Sequence, residues 1–492
     1  MQENGVEPSL RAYNHVVDAY ANAHDVDGAL AAYKRIKQLG LQPDLYTYGI
    51  LIKAFVQHSR LSEAFVIFEQ LKKSDLIPDQ IIFSTLIAGC IKNGEIDRAW
   101  DLFDAMRLSY HQPDEVAFTM MIQACAKRGE VERALNMFED MTGNGLHPTD
   151  VTFNALISAC AKRPDYYETA FDLFEQMHTV YNFEPDRITY NILLSACARK
   201  RELKRAREIV QTMHAHQQQQ SDSMISPDEH TFITLFSCYA NYNPPSTQKM
   251  TATVKDEAAA TLVEHSLFLP ILPVRRSQVV EEAKHVYNYI ISNKLCDVSS
   301  ELITAYLDVH ITQKRSTECL LIYDHEFAKY NVEHLPKTFS HMLRYAYDTR
   351  DSTLAWKVWE DYQEFLESRS ARFPDNPDDS IVERKRIQDE RTACQRREEW
   401  TLAHQRTMLR SMANTLGRGN DVKNAIKLLQ TYFPKSSREA ATATMQRFKL
   451  SELKPLYDKC IQIEDQDSKE ALKRLCIPDR RSRPADWRFR KQ

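Results

Sequence analysis

The sequence predicts an all-α protein, an α-solenoid of stacked helix-turn-helix repeats, and three observations support this prediction. Four consecutive segments, 10–44, 45–79, 80–114 and 115–149, have the same length of 35 residues, and the first three close on Pro-Asp. Each segment contains two stretches in which apolar residues recur at helical spacing. The chain has only 11 glycines and 27% charged residues, a composition that indicates neither a fibrous nor a disordered protein.

Each 35-residue segment, called a repeat below, has the same internal plan. The first helix begins directly after the closing residue of the preceding repeat and has an aromatic residue at its fourth position, at Tyr13, Tyr48, Phe83 and Phe118. The second helix has an alanine where two helices must approach closely, at Ala29, Ala64, Ala99 and Ala134. Proline near the end of each repeat disfavours helix at the residue before it, so each hairpin has a defined end. These prolines are Pro43, Pro78, Pro113 and Pro148.

The pattern continues with insertions and then weakens. Repeat 5 spans 150–186, repeat 6 spans 187–228, and a seventh begins at Glu229. We expect a regular array over 1–241 and an insertion loop over 242–278. We expect degenerate helical repeats over 279–367, a charged linker or helix over 368–399, and one further degenerate repeat over 400–432. A helical cap with a basic tail should complete the chain over 433–492.

The first residues match the second half of a repeat. Met1 precedes Pro8 by the same spacing that separates Met106 from Pro113 and Met141 from Pro148. The chain therefore begins inside a second helix, and we expect the natural protein to be longer, with any targeting peptide upstream.

Five cysteines recur at nearly the repeat length, at Cys90, Cys125, Cys160, Cys197 and Cys238. None belongs to a CxxC pair, so we expect buried, reduced packing residues and neither a zinc site nor a disulfide framework. The composition calls for no cofactor. The most apolar stretch, 262–274, includes Glu264, His265 and two prolines and is too short for a membrane span, so we expect none.

A stripe of positive charge is predicted although the net charge of the chain is -4. The thirteenth residue of four successive repeats is basic, and in three of them the next residue, Arg128, Arg163 or Lys200, is basic too. Contact with phosphates is one interpretation, and the preference of cations for the negative end of a helix is the other. The candidate phosphate-binding residues are Lys92, Lys127, Lys162 and Arg199.

The phrases DVTFNALISACAK, RITYNILLSACAR and AFDLFEQM, with the 35-residue period and the closing Pro-Asp, resemble the pentatricopeptide-repeat family. The resemblance is strong over residues 1–240 and weak over 279–432. Tetratricopeptide repeats have a period of 34 residues and a Trp-Leu-Gly signature, which these repeats lack. The resemblance implies a right-handed superhelix that binds single-stranded RNA, one base per repeat, in a mitochondrion or chloroplast, and we expect the mitochondrion.

In that family the fifth residue of a repeat and its closing residue recognise the base. The resemblance implies the pairs Asn14 with Asp44, Gly49 with Asp79, Ser84 with Asp114, Thr119 with Thr149, Asn154 with Asp186, and Asn191 with Asp228. Asn with Asp is similar to the uracil combination and Ser with Asp to the guanine combination, so the expected target is U-N-G-N-U-U. We expect Asn14, Ser84, Asn154 and Asn191 to point into open solvent in one row on a concave wall. Ile233 in the seventh repeat has no polar side-chain atom, so recognition should stop there.

The second residue of each repeat clamps the bases in the resembled family. These residues are Arg11, Tyr46, Ile81, Val116, Val151 and Ile188, followed by His230. An apolar or planar side chain between stacked bases is chemically reasonable. The alternative is that they are ordinary residues of a first helical turn.

Three functions are compatible with the sequence. The first is an organellar factor, not an enzyme, that binds a messenger, ribosomal or precursor transfer RNA and so protects it, directs its processing or promotes its translation. The second is a protein-only RNase P, but residues 433–492 are too short for its nuclease domain and offer only Asp458, Asp465 and Asp467. The third is a protein-scaffolding or mitoribosome-associated solenoid.

Overall fold

A computed structural model describes residues 9–74, 76–219, 225–244, 266–314, 316–373, 381–433 and 446–477. These residues form helices joined by turns and loops, with one isolated β-bridge between Lys449 and Ile477. The chain divides into an N-terminal unit, 1–227, and a C-terminal unit, 228–492. The division lies one helix before the array boundary that we predicted at 241. The predicted all-α fold of stacked helical hairpins is confirmed.

The N-terminal unit contains six hairpins, one for each repeat. The first helices are α1 (Leu10–Asn22), α3 (Leu45–Gln57), α5 (Gln80–Asn93), α7 (Glu115–Arg128), α9 (Asp150–Ala161) and α11 (Arg187–Lys200). The second helices are α2 (Val26–Gln38), α4 (Leu61–Lys72), α6 (Ile96–Arg107), α8 (Val131–Gly143), α10 (Tyr167–Thr179) and α12 (Leu203–Gln219). A short 3-10 turn, Pro164–Tyr166, accommodates part of the insertion in repeat 5.

The first helices of the N-terminal unit form a continuous layer. Each of them contacts the second helix of its own repeat, and each from α1 to α9 also contacts the first helix of the next repeat. Equivalent positions of successive first helices therefore lie side by side, which is the arrangement that the sequence interpretation requires.

The turn between the two helices of a repeat uses a left-handed backbone conformation. Gly94 and Gly129, with φ of 79° and 75°, end helices α5 and α7. Glycine adopts this conformation without steric cost because it has no Cβ. Arg201 occupies the same place after α11 with φ of 67°, so glycine is favoured but is not essential there.

Small and sulfur-containing side chains fill the space between helices. The four alanines of the second helices are fully buried, and so are the five periodic cysteines. Burial raises the pKa of the thiols of Cys90, Cys125, Cys160 and Cys197 to about 11. These thiols are therefore neutral at physiological pH and act as packing residues, as predicted.

Ion pairs join consecutive repeats at the surface. Each connects a basic residue near the turn or second helix of one repeat with an acidic residue on the second helix of the preceding repeat. The pairs are Arg60–Asp27 at 2.8 Å, Arg128–Asp97 at 3.1 Å, Arg163–Glu132 at 2.8 Å and Arg205–Glu168 at 2.9 Å. Exposed pairs of this kind contribute about 0.2 to 1 kcal/mol each, so they favour one stacking register more than they add stability.

The C-terminal unit repeats the hairpin plan less regularly. Its first helices are α13 (Glu229–Asn241), α15 (Ser300–Thr312), α17 (Pro336–Thr349), α20 (Leu402–Arg418) and α22 (Lys454–Gln462), and each contacts the next. Their partners are α14 (Arg276–Ser292), α16 (Ser316–Leu321, continued by a π turn, Ile322–Glu326, and Phe327–Lys329), α18 (Ser352–Ser370), α21 (Val422–Tyr432) and α23 (Gln466–Leu475). Helix α19 (Ile381–Arg397) lies between two hairpins in sequence, within the predicted charged segment.

The hairpin α13–α14 forms despite the long insertion between its helices. The hydroxyl of Tyr239 donates a 2.9 Å hydrogen bond to the carboxylate of Glu282, and both side chains are fully buried. Most of the predicted insertion loop, residues 245–265, lies outside the described residues, as do residues 1–8 and the basic tail over 478–492.

Candidate nucleic-acid interface

The closing residue of each repeat caps the first helix of the next. The side chains of Asp44, Asp79, Asp114, Thr149 and Asp186 accept a hydrogen bond from the backbone N–H of the third residue of the following repeat. Such an N-cap stabilises a helix by about 0.5 to 2 kcal/mol, so these residues have a structural role in addition to any role in recognition. For the aspartates, the cap uses the oxygen Oδ1 and leaves Oδ2 outside the cap.

The fifth residue of repeat 1 is held by two residues at the start of repeat 2. The amide nitrogen of Asn14 lies 3.1 Å and 3.4 Å from the two carboxylate oxygens of Asp44 and donates to them. The hydroxyl of Thr47 lies 2.7 Å from the amide oxygen of Asn14. Burial alone would raise the pKa of Asp44, but the hydrogen bonds from Thr47 and Asn14 outweigh this effect and lower it, so the carboxylate is ionised.

The expectation that Asn14 points into open solvent is wrong. Its side chain is only 4% exposed because Asp44 and Thr47 enclose it. The other three residues of the expected row, Ser84, Asn154 and Asn191, are half-buried. The side chains of the fifth residues are therefore partly or fully covered within the first-helix layer, and few of their polar atoms are accessible to solvent.

The same contact recurs at two further repeats. The amide oxygen of Asn154 lies 2.7 Å from the hydroxyl of Thr189, and the hydroxyls of Thr119 and Thr152 are 2.8 Å apart. The structure thus brings the predicted pairs of repeats 1, 4 and 5 together through a third residue that the sequence interpretation did not include. The recurrence of threonine at the third position is visible in the sequence. Its contact with the fifth residue of the preceding repeat is visible only in the structure.

Repeats 2 and 3 lack this contact because their partner residues are apolar. Gly49 has no side chain, and a Cβ built there would lie 4.0 Å from the side chain of Ile82. The buried hydroxyl of Ser84 has no hydrogen-bond partner among the described residues, and the third residue of the next repeat is Ala117. The last predicted pair spans the division of the chain, with Asn191 half-buried on α11 and Asp228 capping α13.

The second residues of the repeats form an exposed apolar row. Five of the six predicted clamp residues are apolar or aromatic, and their exposed fractions lie between 47% and 73%. Side chains with this exposure keep about half or more of their area in contact with water, so packing within this chain alone does not explain why apolar residues recur at this position. The five are Tyr46, Ile81, Val116, Val151 and Ile188, and the sixth predicted residue, Arg11, is also exposed.

The predicted cationic stripe is exposed, but two of its members also have a structural contact. The ammonium of Lys162 donates a 2.5 Å hydrogen bond to the carbonyl of Ala126, and Arg199 donates a 2.8 Å bond to the carbonyl of Ala161. Both carbonyls lie in the last turn of the preceding first helix. Partial burial and the charges of Arg199 and Lys127 lower the pKa of Lys162, which indicates a row of closely spaced cations.

The basic residues that come directly after the stripe residues in sequence form contacts between consecutive repeats. Arg128 and Arg163 form the ion pairs with Asp97 and Glu132 described above, and the ammonium of Lys200 donates to the carbonyl of Pro164 at 3.3 Å. Their side chains extend toward the second helices, where the acidic residues neutralise the two arginines. They therefore add no second row of positive charge to the stripe. Lys92 and Lys127 are exposed and have no ion pair with any described residue.

The C-terminal unit retains one such contact between repeats, at helices α15 and α17, whose second positions are not apolar. Thr304 and Thr338, the fifth and third residues of consecutive first helices, have hydroxyls 2.6 Å apart. The second positions are charged, Glu301 and Lys337. Arg397, Glu398 and Glu399, at the C-terminal end of α19 and just after it, line a pocket of 230 Å³ together with Ile233, Glu301 and Thr304, so they lie beside the fifth positions. The guanidinium of Arg369 forms an ion pair with Glu398, with 2.9 Å between Nε and the carboxylate oxygen Oε2.

No group of three or more potential metal ligands occurs among the residues that the structure describes. In the same residues, no helix has both the length and the apolar character of a membrane span.

Hairpins stacked through their first helices, with an exposed second residue in each of the six repeats and an exposed cation near the end of the first helix in repeats 3 to 6, define a helical-repeat protein. Models of the PPR repeat family match residues 8–57, 78–127 and 113–162, and a model of the PPR repeat matches 151–179. A model of the pentatricopeptide repeat domain matches residues 34–93 and 172–241. Residues 8–241 of the chain belong to the pentatricopeptide-repeat family.

Comparison with one solved structure supports the fold. The crystal structure of the pentatricopeptide repeat protein PPR10 from maize is similar over 98% of this chain, with 18% identity and a TM-score of 0.57. This chain spans 61% of the length of the maize structure. The structure of yeast Rmd9p in complex with a 16-nt target RNA is 9% identical over 89% of this chain and 96% of that one, with a TM-score of 0.36. A search of curated protein sequences gave no significant match.

Proposed function

We propose that this chain is a sequence-specific single-stranded RNA-binding protein. The observation that carries the proposal is the exposed row of Tyr46, Ile81, Val116, Val151 and Ile188, one per repeat. Bases of a single strand stack on side chains of this kind, and each stacked base contributes about 1 to 3 kcal/mol. Membership of the family adds support, because pentatricopeptide repeats bind one base per repeat through two or three side chains.

The cationic stripe supplies the second element of binding. Lys92, Lys127, Lys162 and Arg199 lie at or near the ends of the first helices of repeats 3 to 6, so a single strand that follows the layer meets one cation at each of these four repeats. A negative net charge of -4 does not oppose this function, because the acidic residues of the ion pairs lie on the second helices.

The proposed target of repeats 1 to 6 is U-N-G-N-U-U. The assignment of uracil to repeat 5 has a chemical basis in Asn154 and Asp186. An amide and a carboxylate together offer a donor for a base carbonyl and an acceptor for the N3–H of uracil. Ser84 with Asp114 provides the guanine assignment, and the hydroxyl of Ser84 has no hydrogen-bond partner among the described residues.

We propose that the protein acts by occupying its site on the RNA and not by catalysis. A bound strand is protected from nucleases and cannot form competing structure, which accounts for roles in the stability, processing or translation of a transcript. We place this activity in the mitochondrion on the basis of the family. Imaging of the tagged full-length protein against a mitochondrial marker tests this location, and an exclusively cytosolic or nuclear signal would contradict it.

The binding proposal is tested by fluorescence anisotropy with two labelled RNAs that contain the target, one single-stranded and one in a duplex. We expect the single-stranded RNA to bind at least tenfold more tightly than the same sequence in a duplex, because stacking on the clamp residues requires unpaired bases. Equal affinity for both, or no affinity for either, would overturn the proposal. Absence of RNA binding together with co-sedimentation with mitoribosomes would favour the scaffolding alternative.

A further inference from the structure

A buried threonine at the third position contacts the fifth residue of the preceding repeat. Thr47, Thr152 and Thr189 are fully buried, so none of them can touch RNA. Their hydroxyls lie 2.7 Å, 2.8 Å and 2.7 Å from the side-chain oxygen of the fifth residue across the repeat boundary. A contact of the same kind joins Thr338 to Thr304 in the C-terminal unit.

The hydroxyl of Thr189 has two acceptors and one proton. It lies 2.7 Å from the amide oxygen of Asn154 and also 2.7 Å from Oδ1 of Asp186. If the proton goes to Asn154, the amide oxygen faces the threonine and the amide nitrogen is directed away from it. If the proton goes to Asp186, the amide must turn, so that its nitrogen donates to the threonine oxygen. The threonine therefore determines which end of the amide is available to a base.

Repeat 1 shows which of these arrangements the chain selects. The amide nitrogen of Asn14 donates to Asp44, so its oxygen must face Thr47. Asn154 has the same orientation, with its oxygen toward Thr189 and its nitrogen without a partner among the described residues. A free amide nitrogen donates to a carbonyl oxygen of uracil and cannot accept the amino group of adenine or cytosine.

Repeat 3 lacks the threonine and shows the consequence. Ala117 occupies the third position of the following repeat, and the buried hydroxyl of Ser84 has no partner. A serine hydroxyl without a partner rotates freely and can donate or accept. The orientation of a fifth residue therefore depends on its neighbour in the next repeat.

We propose that the third-position threonine is a positioning residue, which fixes the orientation of the fifth residue of the preceding repeat and thereby sets base selectivity at that nucleotide. This inference rests on the proposed function. The recognition unit then consists of three side chains. They are the fifth residue and the closing residue of one repeat and the third residue of the next repeat.

The substitution Thr189→Val tests the inference because it removes the hydroxyl and keeps the shape. The affinity of the full chain is measured for four RNAs that differ only at the fifth nucleotide of U-N-G-N-U-U, and for four that differ only at the third. We expect the preference for U over A and C at the fifth nucleotide to fall roughly fivefold, the effect of one net hydrogen bond. The preference at the third nucleotide should not change. Thr189→Ser restores the hydroxyl and should restore the preference.

Ala117→Ser provides the reciprocal test and does not depend on the folding of the valine variant. The new hydroxyl should give Ser84 a partner and sharpen the preference for G at the third nucleotide by a similar factor of roughly five. Unchanged preferences in both Thr189→Val and Ala117→Ser would overturn the inference while leaving RNA binding intact. A wild-type chain that binds no RNA would instead overturn the proposed function itself.

Discussion

The ammonium group of Lys162 donates a 2.5 Å hydrogen bond to the carbonyl oxygen of Ala126, in the last turn of the first helix of the preceding repeat. This contact combines the two interpretations that the sequence left open for the basic stripe. Lys162 stabilises the C-terminal end of α7 in the preceding repeat. It is also exposed and lies close enough to Lys127 and Arg199 to form part of a row of positive charges. Lys127 forms no such contact with a described residue, so the two lysines form a matched pair for experiment.

Lys127→Met and Lys162→Met should weaken the binding of all RNA sequences to a similar extent. For the wild-type chain, four phosphate contacts predict a slope of about -3 for log affinity against log salt, and each variant should make it shallower by about 0.7. Only Lys162→Met should also lower stability, by about 0.5 kcal/mol, because only Lys162 contacts a helix end. Salt titration and thermal unfolding measure the two effects. A wild-type slope near zero would remove the stripe from the interface.

Ile81→Asp should weaken RNA binding without destabilising the protein. Ile81 is 73% exposed, so the substitution removes no buried contact, but it places a negative charge where a base should stack. We expect a loss of about tenfold or more in affinity, equivalent to the stacking of one base. Val66→Asp is the matched control, because Val66 is 56% exposed on the second helix α4, away from the first-helix layer. Equal losses in the two variants would show that the clamp row has no special role.

The double substitution Asn154→Thr with Asp186→Asn should shift the preference at the fifth nucleotide from U toward A. The fold should tolerate it, because Asp186 caps α11 and asparagine is an equally good N-cap residue. Binding to RNAs with each base at that position measures the preference. A preference that remains on U would contradict recognition by one residue pair per repeat.

Helices α16 and α17, which flank the loop that contains His334, should open more readily as the pH falls. His334 donates through Nε2 to the carbonyl of Tyr323 and stacks on Phe327, and burial lowers its pKa from the usual 6.5, although the hydrogen bond and the nearby Asp361 and Asp324 oppose that shift. The folded state then binds fewer protons than the unfolded state, so the stability that His334 provides is present above pH 6.5 and is lost as the pH falls below it.

Amide hydrogen exchange of α16 and α17 at several pH values measures this effect. Between about pH 7.5 and pH 5.5, protection should decrease in the wild type after correction for intrinsic exchange rates. It should change less in His334→Gln, which keeps a polar donor and does not titrate. Identical pH profiles in the two proteins would contradict the assignment to His334.

The repeats could be predicted because the sequence features that define them act over short distances along the chain. The period, the closing Pro-Asp, the aromatic at position four and the alanines of the second helices each act within one hairpin or between adjacent helices. The N-cap function of Asp44 and its equivalents follows from the same local pattern. The exposed clamp row was also predictable, because a first-turn position preceding the buried face of a helix points outward.

The depth of the fifth residues was not predictable from one repeat. The burial of Asn14 depends on the distance between α1 and α3 and on the direction of Thr47, which are properties of the stack. The same holds for Arg397 to Glu399, whose position beside Ile233 and Glu301 joins residues far apart in sequence. Sequence patterns within a repeat contain no information on contacts of this range.

Selection from a pool of random single-stranded RNA by the purified protein tests the central claim most directly. We predict enrichment of sequences with the spacing U-N-G-N-U-U, with U at positions one, five and six and G at position three. Enrichment of no common sequence, or of one that is unchanged when Ser84, Asn154 and Asp186 are all replaced by alanine, would contradict it.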